Sequence, residues 1–338
     1  MPIDSVVLAV PRSIGLGTGL KLGLAPDGYV LLDDSFRIYS FSKSGSLRRA
    51  FLARPDGPPA EGAANGPELL PGDSLVAVHD WSRDALNVYR LATGELVHAV
   101  RAPARWLGRA WSWRGDTAWF GLGLDKHLIG QWAVGDDSLV TLADTPRRLL
   151  SQPSLYLLSG TPRIQAGDSG AVVLPAGLSE VWKIGRTGEV VQRMSIPVAR
   201  RFGAPPDLFQ RQLKARQSQG LTFQPRVSTP ELLRRLTSGE LLAAYLDFDR
   251  IVSDSIRDPW GRFGRYRLYV SLLASDLTRV CLDAELRPDS DLHPSAAMLG
   301  DTLALIARRD STGVEERILV RRYTVSGNGC DWVPAPAG

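Results

Sequence analysis

Little in this chain of 338 residues points to thiol or metal chemistry. It contains two cysteines, four histidines and three methionines, and only five of its 40 basic residues are lysines. No CxxC or HxxxH spacing accompanies Cys281 and Cys330, which excludes a local zinc motif. The two thiols either form a disulfide or remain reduced and buried. No run of 18 apolar residues occurs, so no transmembrane helix is expected. The opening Met1-Pro-Ile-Asp4 has neither a basic stretch nor an apolar core, and no signal segment is read there. The formal charge is only +4, and the arginines are scattered rather than gathered on one element. Nucleic acid is therefore a disfavoured partner.

What the chain has is a repeat. Arg37–Leu47 (RIYSFSKSGSL), Asn87–Leu96 (NVYRLATGEL) and Val181–Val190 (VWKIGRTGEV) share a strand, a glycine turn and a second strand. Their turn glycines Gly45, Gly94 and Gly188 imply a unit of about 47 residues with one degenerate copy. A second signal precedes each unit. Asp27-Gly28, Gly72-Asp73, Gly115-Asp116, Gly167-Asp168, Gly239-Glu240 and Gly300-Asp301 are hairpin-type dipeptides, each followed by a short apolar strand. The second hairpins turn near Gly45, Gly94, Asp137, Gly188, Ser275 and Asn328. Two hairpins per unit give four antiparallel strands, the anatomy of a propeller blade. The expectation is an all-β, six-bladed propeller occupying residues 1–338 as a single domain. Ser5–Val10, a strand-like run ahead of the first blade, is expected to pair in the last blade and close the ring.

Residues 197–235 carry no blade pattern and are read as a partly helical insertion between blades four and five. Pro206-Asp207 precedes one short helix, and Thr229 serves as the N-cap of another. The segment holds eight basic residues between Arg200 and Arg235, with Phe202, Phe209 and Phe223 and only Asp207 and Glu231 as acids. That composition favours an anionic ligand or an acidic protein face.

The residues also carry a resemblance. Asp27–Asp34 (DGYVLLDD) and Arg37–Gly45 (RIYSFSKSG) resemble the blade consensus of NHL-type and TolB-like six-bladed propellers. Gly300–Leu305, Val320–Val325 and Cys330–Trp332 resemble the last blade of a group of bacterial six-bladed propeller proteins. Members of that group mostly carry a secretion signal or lipoprotein anchor. The resemblance implies ligand contact on the face formed by second-to-third strand connections and blade-to-blade linkers. It places Asp33, Asp34, His79, Asp80, Asp125, His127, Asp249 and Arg308 there as candidate ligand-binding residues, beside Asp247 and Arg309. In hydrolytic propellers of the lactonase-like type a divalent cation sits in the channel on carboxylate and amide ligands. Asp33, Asp80, Asp125 and Asp249 come from four blades and would suit it. The plainer role is turn capping by aspartate at the ends of second strands, and no cofactor is expected.

His79-Asp80 and Asp125-Lys126-His127 could pair as acid and base at the channel mouth, but they match no catalytic motif. Gly167-Asp-Ser-Gly170 is a blade turn rather than a serine nucleophile, and Gly15–Gly19 lacks the strand-to-helix context of a phosphate loop. Trp106, Trp111, Trp113, Trp119 and Trp132 crowd blade three and suit packing between blades; interleaved with Arg101, Arg105, Arg109 and Arg114 they could instead form a stacking surface for sugars, peptides or single-stranded nucleic acid, with Trp106 and Trp111 as its exposed pair. Cys281 and Cys330 are placed on the outermost strands of blades five and six, neighbours in the ring, and are expected to form a disulfide. With the resemblance, that favours a periplasmic or secreted location, while a cytoplasmic one stays open. The preferred role is a binding or scaffold module for a protein or small-molecule ligand. A metal-assisted hydrolase or lyase is the alternative.

Overall fold

The computed structural model describes residues 2–17, 19–53, 64–70, 74–80, 83, 85–101, 107–122, 126–150, 162–175, 178, 180–196, 229–248, 266–286 and 295–335. The chain starts with β1 (Pro2–Pro11) and then builds six antiparallel sheets in sequence order. Blade one holds β2 (Lys21–Ala25), β3 (Gly28–Leu32), β4 (Arg37–Ser42) and β5 (Leu47–Leu52). Blade two holds β6 (Ala64–Leu69), β7 (Leu75–Asp80), β8 (Ala85–Arg90) and β9 (Leu96–Arg101). Blade three holds β10 (Leu107–Arg114), β11 (Thr117–Leu122), β12 (His127–Ala133) and β13 (Val140–Asp144), followed by the single helical turn α1 (Arg147–Leu150). Blade four is β14 (Arg163–Gly167), β15 (Gly170–Leu174), β16 (Glu180–Gly185) and β17 (Val190–Ser195). Blade five is β18 (Thr229–Arg235), β19 (Leu241–Phe248), β20 (Tyr266–Leu273) and β21 (Arg279–Leu286). Blade six is β22 (Ala296–Leu299), β23 (Thr302–Ser311) and β24 (Glu315–Thr324), completed by β1; β25 (Trp332–Pro334) follows at the C-terminal end.

The sequence pattern explains the burial. Second strands such as β3 (GYVLL) and β15 (GAVVL) are apolar at every position and buried at every position, because a blade is covered on both faces by its neighbours. Outer strands such as β13 and β17 are half-exposed. The core is divided accordingly into six clusters, one at each blade junction. Between blades two and three, for example, Leu86, Val88 and Val100 meet Trp111, Phe120 and Trp132. Leu8, Val10, Ile318 and Val320 of blade six meet Tyr29, Leu31 and Tyr39 of blade one, so the apolar ring closes on itself. At Gly170, φ is +136°, and a Cβ would strike the Ile184 carbonyl; only glycine fits that hairpin.

Closure is made by β1, which pairs with β24 from Pro2↔Tyr323 to Pro11↔Glu315, as the run Ser5–Val10 predicts. Asp4 and Arg322 form an ion pair across this ladder. Because β1 holds the outer edge of blade six, the C-terminal tail cannot pair there. It is diverted to blade five, where β25 adds a fifth strand with Arg279↔Pro334 and Cys281↔Trp332. Asn328 is thus not a blade turn but part of this crossing. Cys330 lies just before β25 rather than on an outer strand of blade six. The disulfide Cys281–Cys330 is nevertheless formed, with Cα atoms 5.9 Å apart, and it ties the tail to blade five.

The insertion is shorter than 197–235. Residues 229–235 are β18, the innermost strand of blade five, rather than a helix start. The consecutive Leu232 and Leu233 conceal the two-residue period, because one packs toward blade six and the other toward blade four. Pro230 is accommodated by a register shift before Leu232. Residues 197–228, with the helix expected after Pro206-Asp207, lie outside the described residues.

Candidate functional site

Antiparallel strands put the second-to-third connections and the linkers on one face of the ring, and the remaining hairpins on the other. On the first face the structure gives the sequence candidates different duties. Asp33, 2% exposed at the end of β3, is a structural acceptor. The backbone N–H groups of Gly17 (2.9 Å), Ser35 (3.0 Å) and Arg37 (2.9 Å) donate to its carboxylate. The Tyr39 hydroxyl lies 2.7 Å from both Asp33 Oδ2 and the Gly15 carbonyl. Burial first, and then the neighbouring Asp33 carboxylate, push the Tyr39 phenol up from its usual range. Arg309 holds the same loop by donating to the carbonyls of Leu16 (3.0 Å) and Gly17 (2.8 Å), and it pairs with Glu316 at 3.4 Å. Gly15–Gly19 is therefore a linker strapped down by its neighbours. At Gly17 and Gly19 a Cβ would press on Asp34, so the loop lies against that side chain too.

His79 and Asp80 end β7 inside blade two, 1% and 0% exposed. Desolvation, helped by the Lys21 ammonium, lowers the His79 pKa to about 3 and holds the ring neutral. His127 stands on blade three and faces Asp144 at 3.5 Å across the β12–β13 ladder. His79 and His127, which the sequence allowed but did not favour as an acid–base pair, stand on different blades, and His127 has Asp144 beside it. Arg308 is exposed and paired with Asp310 at 2.7 Å. Asp125 and Asp249 lie outside the described residues, as does Trp106. Trp111 is buried at 3% rather than exposed, packed on Phe120 with ring centroids 5.1 Å apart. Among the described residues no three His, Cys, Asp or Glu side chains come together as a metal-holding group.

The central channel holds polar residues that the sequence reading passed over. Its wall is the first strand of each blade. Ser112 of β10 accepts from the Ala166 backbone N–H (2.8 Å) and the Gln165 amide (3.1 Å) of β14, and the Gln165 carbonyl accepts from the Arg235 N–H of β18 (2.9 Å). Arg163 of β14 donates to the Glu231 carbonyl of β18 at 2.9 Å. Glu68 of β6 and Arg234 of β18 form an ion pair at 3.7 Å. In a six-membered ring blade two faces blade five, so this pair spans the channel. Glu68 also accepts from the Trp111 backbone N–H. Desolvation outweighs the attraction of Arg234 and Arg163 and raises the Glu68 carboxyl to about 7, while burial lowers the pKa of Arg234 against the opposing effect of Glu68. A charge within an otherwise apolar or small-residue first strand, as in NGPEL, RIQAG and ELLRR, is the available signal. For Arg234 it is hidden because residues 229–235 show no blade pattern in the sequence.

No protein-family model matches the chain, and no curated protein matches it. Among solved structures it is similar to a member of the DUF4221 family from Bacteroides vulgatus, at 7% identity and TM-score 0.62, covering 96% of this chain and 98% of that one. It is also similar to a putative exported protein from Bacteroides fragilis, at 11% identity and TM-score 0.58, covering 96% and 95%. The β-propeller domain of Cps50 (Swd1) from Myceliophteria thermophila matches at 11% identity and TM-score 0.51, covering 96% and 100%. At such identities the likeness shows the fold alone: a six-bladed propeller with bacterial neighbours. That fold fits a binding or scaffold role in general terms.

Proposed function

We propose that this propeller is a binding or scaffold module, engaging a protein or an anionic small ligand on the face that carries Asp34, His127, Arg308 and the 197–228 connection. One observation carries the reading. Where a lactonase-like propeller would keep a cation, Glu68 and Arg234 bridge the channel from opposite blades, with Arg163 close by. The engagement of Asp33 with three backbone N–H groups supports it further. An extracytoplasmic location is part of the proposal, supported by the Cys281–Cys330 disulfide and by the likeness to a Bacteroides protein described as a putative exported protein. No described helix is long and apolar enough to cross a membrane.

The test is a face-resolved interaction experiment. Replacing residues 203–226 by a Gly/Ser linker, or Arg308→Glu, is expected to abolish capture of a partner that the unmodified protein retains. Arg186→Glu on the opposite face is expected to leave capture intact. A stoichiometric divalent ion found by elemental analysis, together with chelator-sensitive lactone hydrolysis, would replace the binding reading with the enzymatic one.

A further inference from the structure

We propose that the central channel, at the level of Glu68 and Arg234, is a binding site for a small oxyanion, a carboxylate or a phosphate. The site is distinct from the connection face, so it stands or falls separately from the function proposed above.

The argument starts from hydrogen-bond capacity. A guanidinium carries five N–H donors in a planar fork. Arg234 Nη1 donates to the Leu233 carbonyl at 3.0 Å. Its Nη2 is 3.7 Å from Glu68 Oε2, an ion-pair distance but too long for a hydrogen bond. Among the described residues Arg234 has no other partner. The Arg234 side chain is 20% exposed and that of Glu68 15%, so water reaches both inside the channel. A cation with open donors, on the rigid innermost strand of a blade, is a preformed half of an oxyanion site.

Charge points the same way. Arg234 and Arg163 both attract the Glu68 carboxylate. Lys21 begins β2 on the connection-face side. Glu68 then behaves as a built-in competitor: when ionised it occupies the field of Arg234, and when protonated it yields. The groups that act on its charge, among the described residues, are Arg234 of β18, Arg163 of β14 and the Trp111 N–H of β10. Gln165 of β14 links the neighbouring first strands β10 and β18, so the strand that carries Arg234 is held in place.

The experiment uses the full chain, with acetate and inorganic phosphate as separate probes at constant ionic strength set by chloride. Thermal midpoints and calorimetric affinities are measured at pH 6 and pH 8. At least one probe is expected to raise the midpoint of the wild-type protein, with tighter binding at pH 6. Glu68→Gln is expected to bind about tenfold tighter at pH 8 and to lose the pH dependence, because a like charge beside the ligand is gone. Arg234→Met is expected not to respond. The proposal is overturned if neither probe moves wild type or E68Q, or if R234M responds as wild type does. Should R234M fail to fold, an E68Q response no larger than that of wild type overturns it equally.

Discussion

Removing the arginine from the cross-channel pair gives the sharpest stability prediction. At pH 8 Arg234→Met leaves the Glu68 carboxylate in the channel without its partner 3.7 Å away. At an effective dielectric of 20, that separation corresponds to about 4 kcal/mol of attraction. Stranding a buried charge usually costs about 3–5 kcal/mol, and the 15% exposure of Glu68 places this case at about 3 kcal/mol. The sign with pH follows from the raised carboxyl, which burial pushes up to about 7 in the folded protein, above its ordinary value of 4.5. Between those values the folded chain holds a proton that the unfolded chain has released, so Glu68 subtracts stability as pH rises through this window. At pH 5 Glu68 is neutral in both proteins, and R234M is expected to lose only about 1 kcal/mol, from packing and the Leu233 hydrogen bond. Urea unfolding of both proteins at pH 5 and pH 8 measures the difference of differences. Taking variant against wild type also cancels His79, whose lowered pKa acts in the opposite sense: it adds stability that is lost as pH falls from 6.5 toward about 3. A destabilisation equal at the two pH values, within about 0.5 kcal/mol, would refute the electrostatic account.

Three further outcomes are expected. Deleting residues 1–10 removes Leu8 and Val10 from the junction of blades six and one and bares the β24 edge, so the thermal midpoint should fall by several degrees; an unchanged melting curve counts against closure by β1. Reduction, or Cys281→Ser, opens a loop whose ends are 49 residues apart and should cost about 4 kcal/mol in the chain-entropy model, read as a lower midpoint; in the unmodified protein, unfolded without reductant, mass spectrometry should find no alkylatable thiol, and two only after reduction. Asp33→Ala leaves the N–H groups of Gly17, Ser35 and Arg37 without their acceptor and should cost about 3 kcal/mol in urea unfolding; a loss below about 0.5 kcal/mol would show that the linker 11–20 does not depend on it.

Turn chemistry and apolar runs alone determined the architecture of this protein. Gly28, Gly170 and their counterparts mark hairpins wherever they stand, and β3 or β15 reads as a buried strand because every residue in it is apolar. Two turn types alternating blade after blade, with β1 standing in for the last hairpin of blade six, are satisfied by stacked blades. Closure was legible for the same reason, since Ser5–Val10 is a strand with no partner nearby in sequence. The function of a charge was not legible. Whether Asp33 binds a ligand or caps a loop depends on residues 11–20 folding over it, which joins β1 of the last blade to β2 of the first. Whether Arg234 belongs to an insertion or to the channel depends on Glu68, some 166 residues earlier, arriving from the opposite side of the ring. The destination of the C-terminal tail was also a tertiary decision, because β25 turns to blade five only after β1 has taken the edge of blade six. Local sequence sets backbone shape through sterics and hydrogen bonding between near neighbours, whereas these pairings arise between segments that only the closed ring brings together.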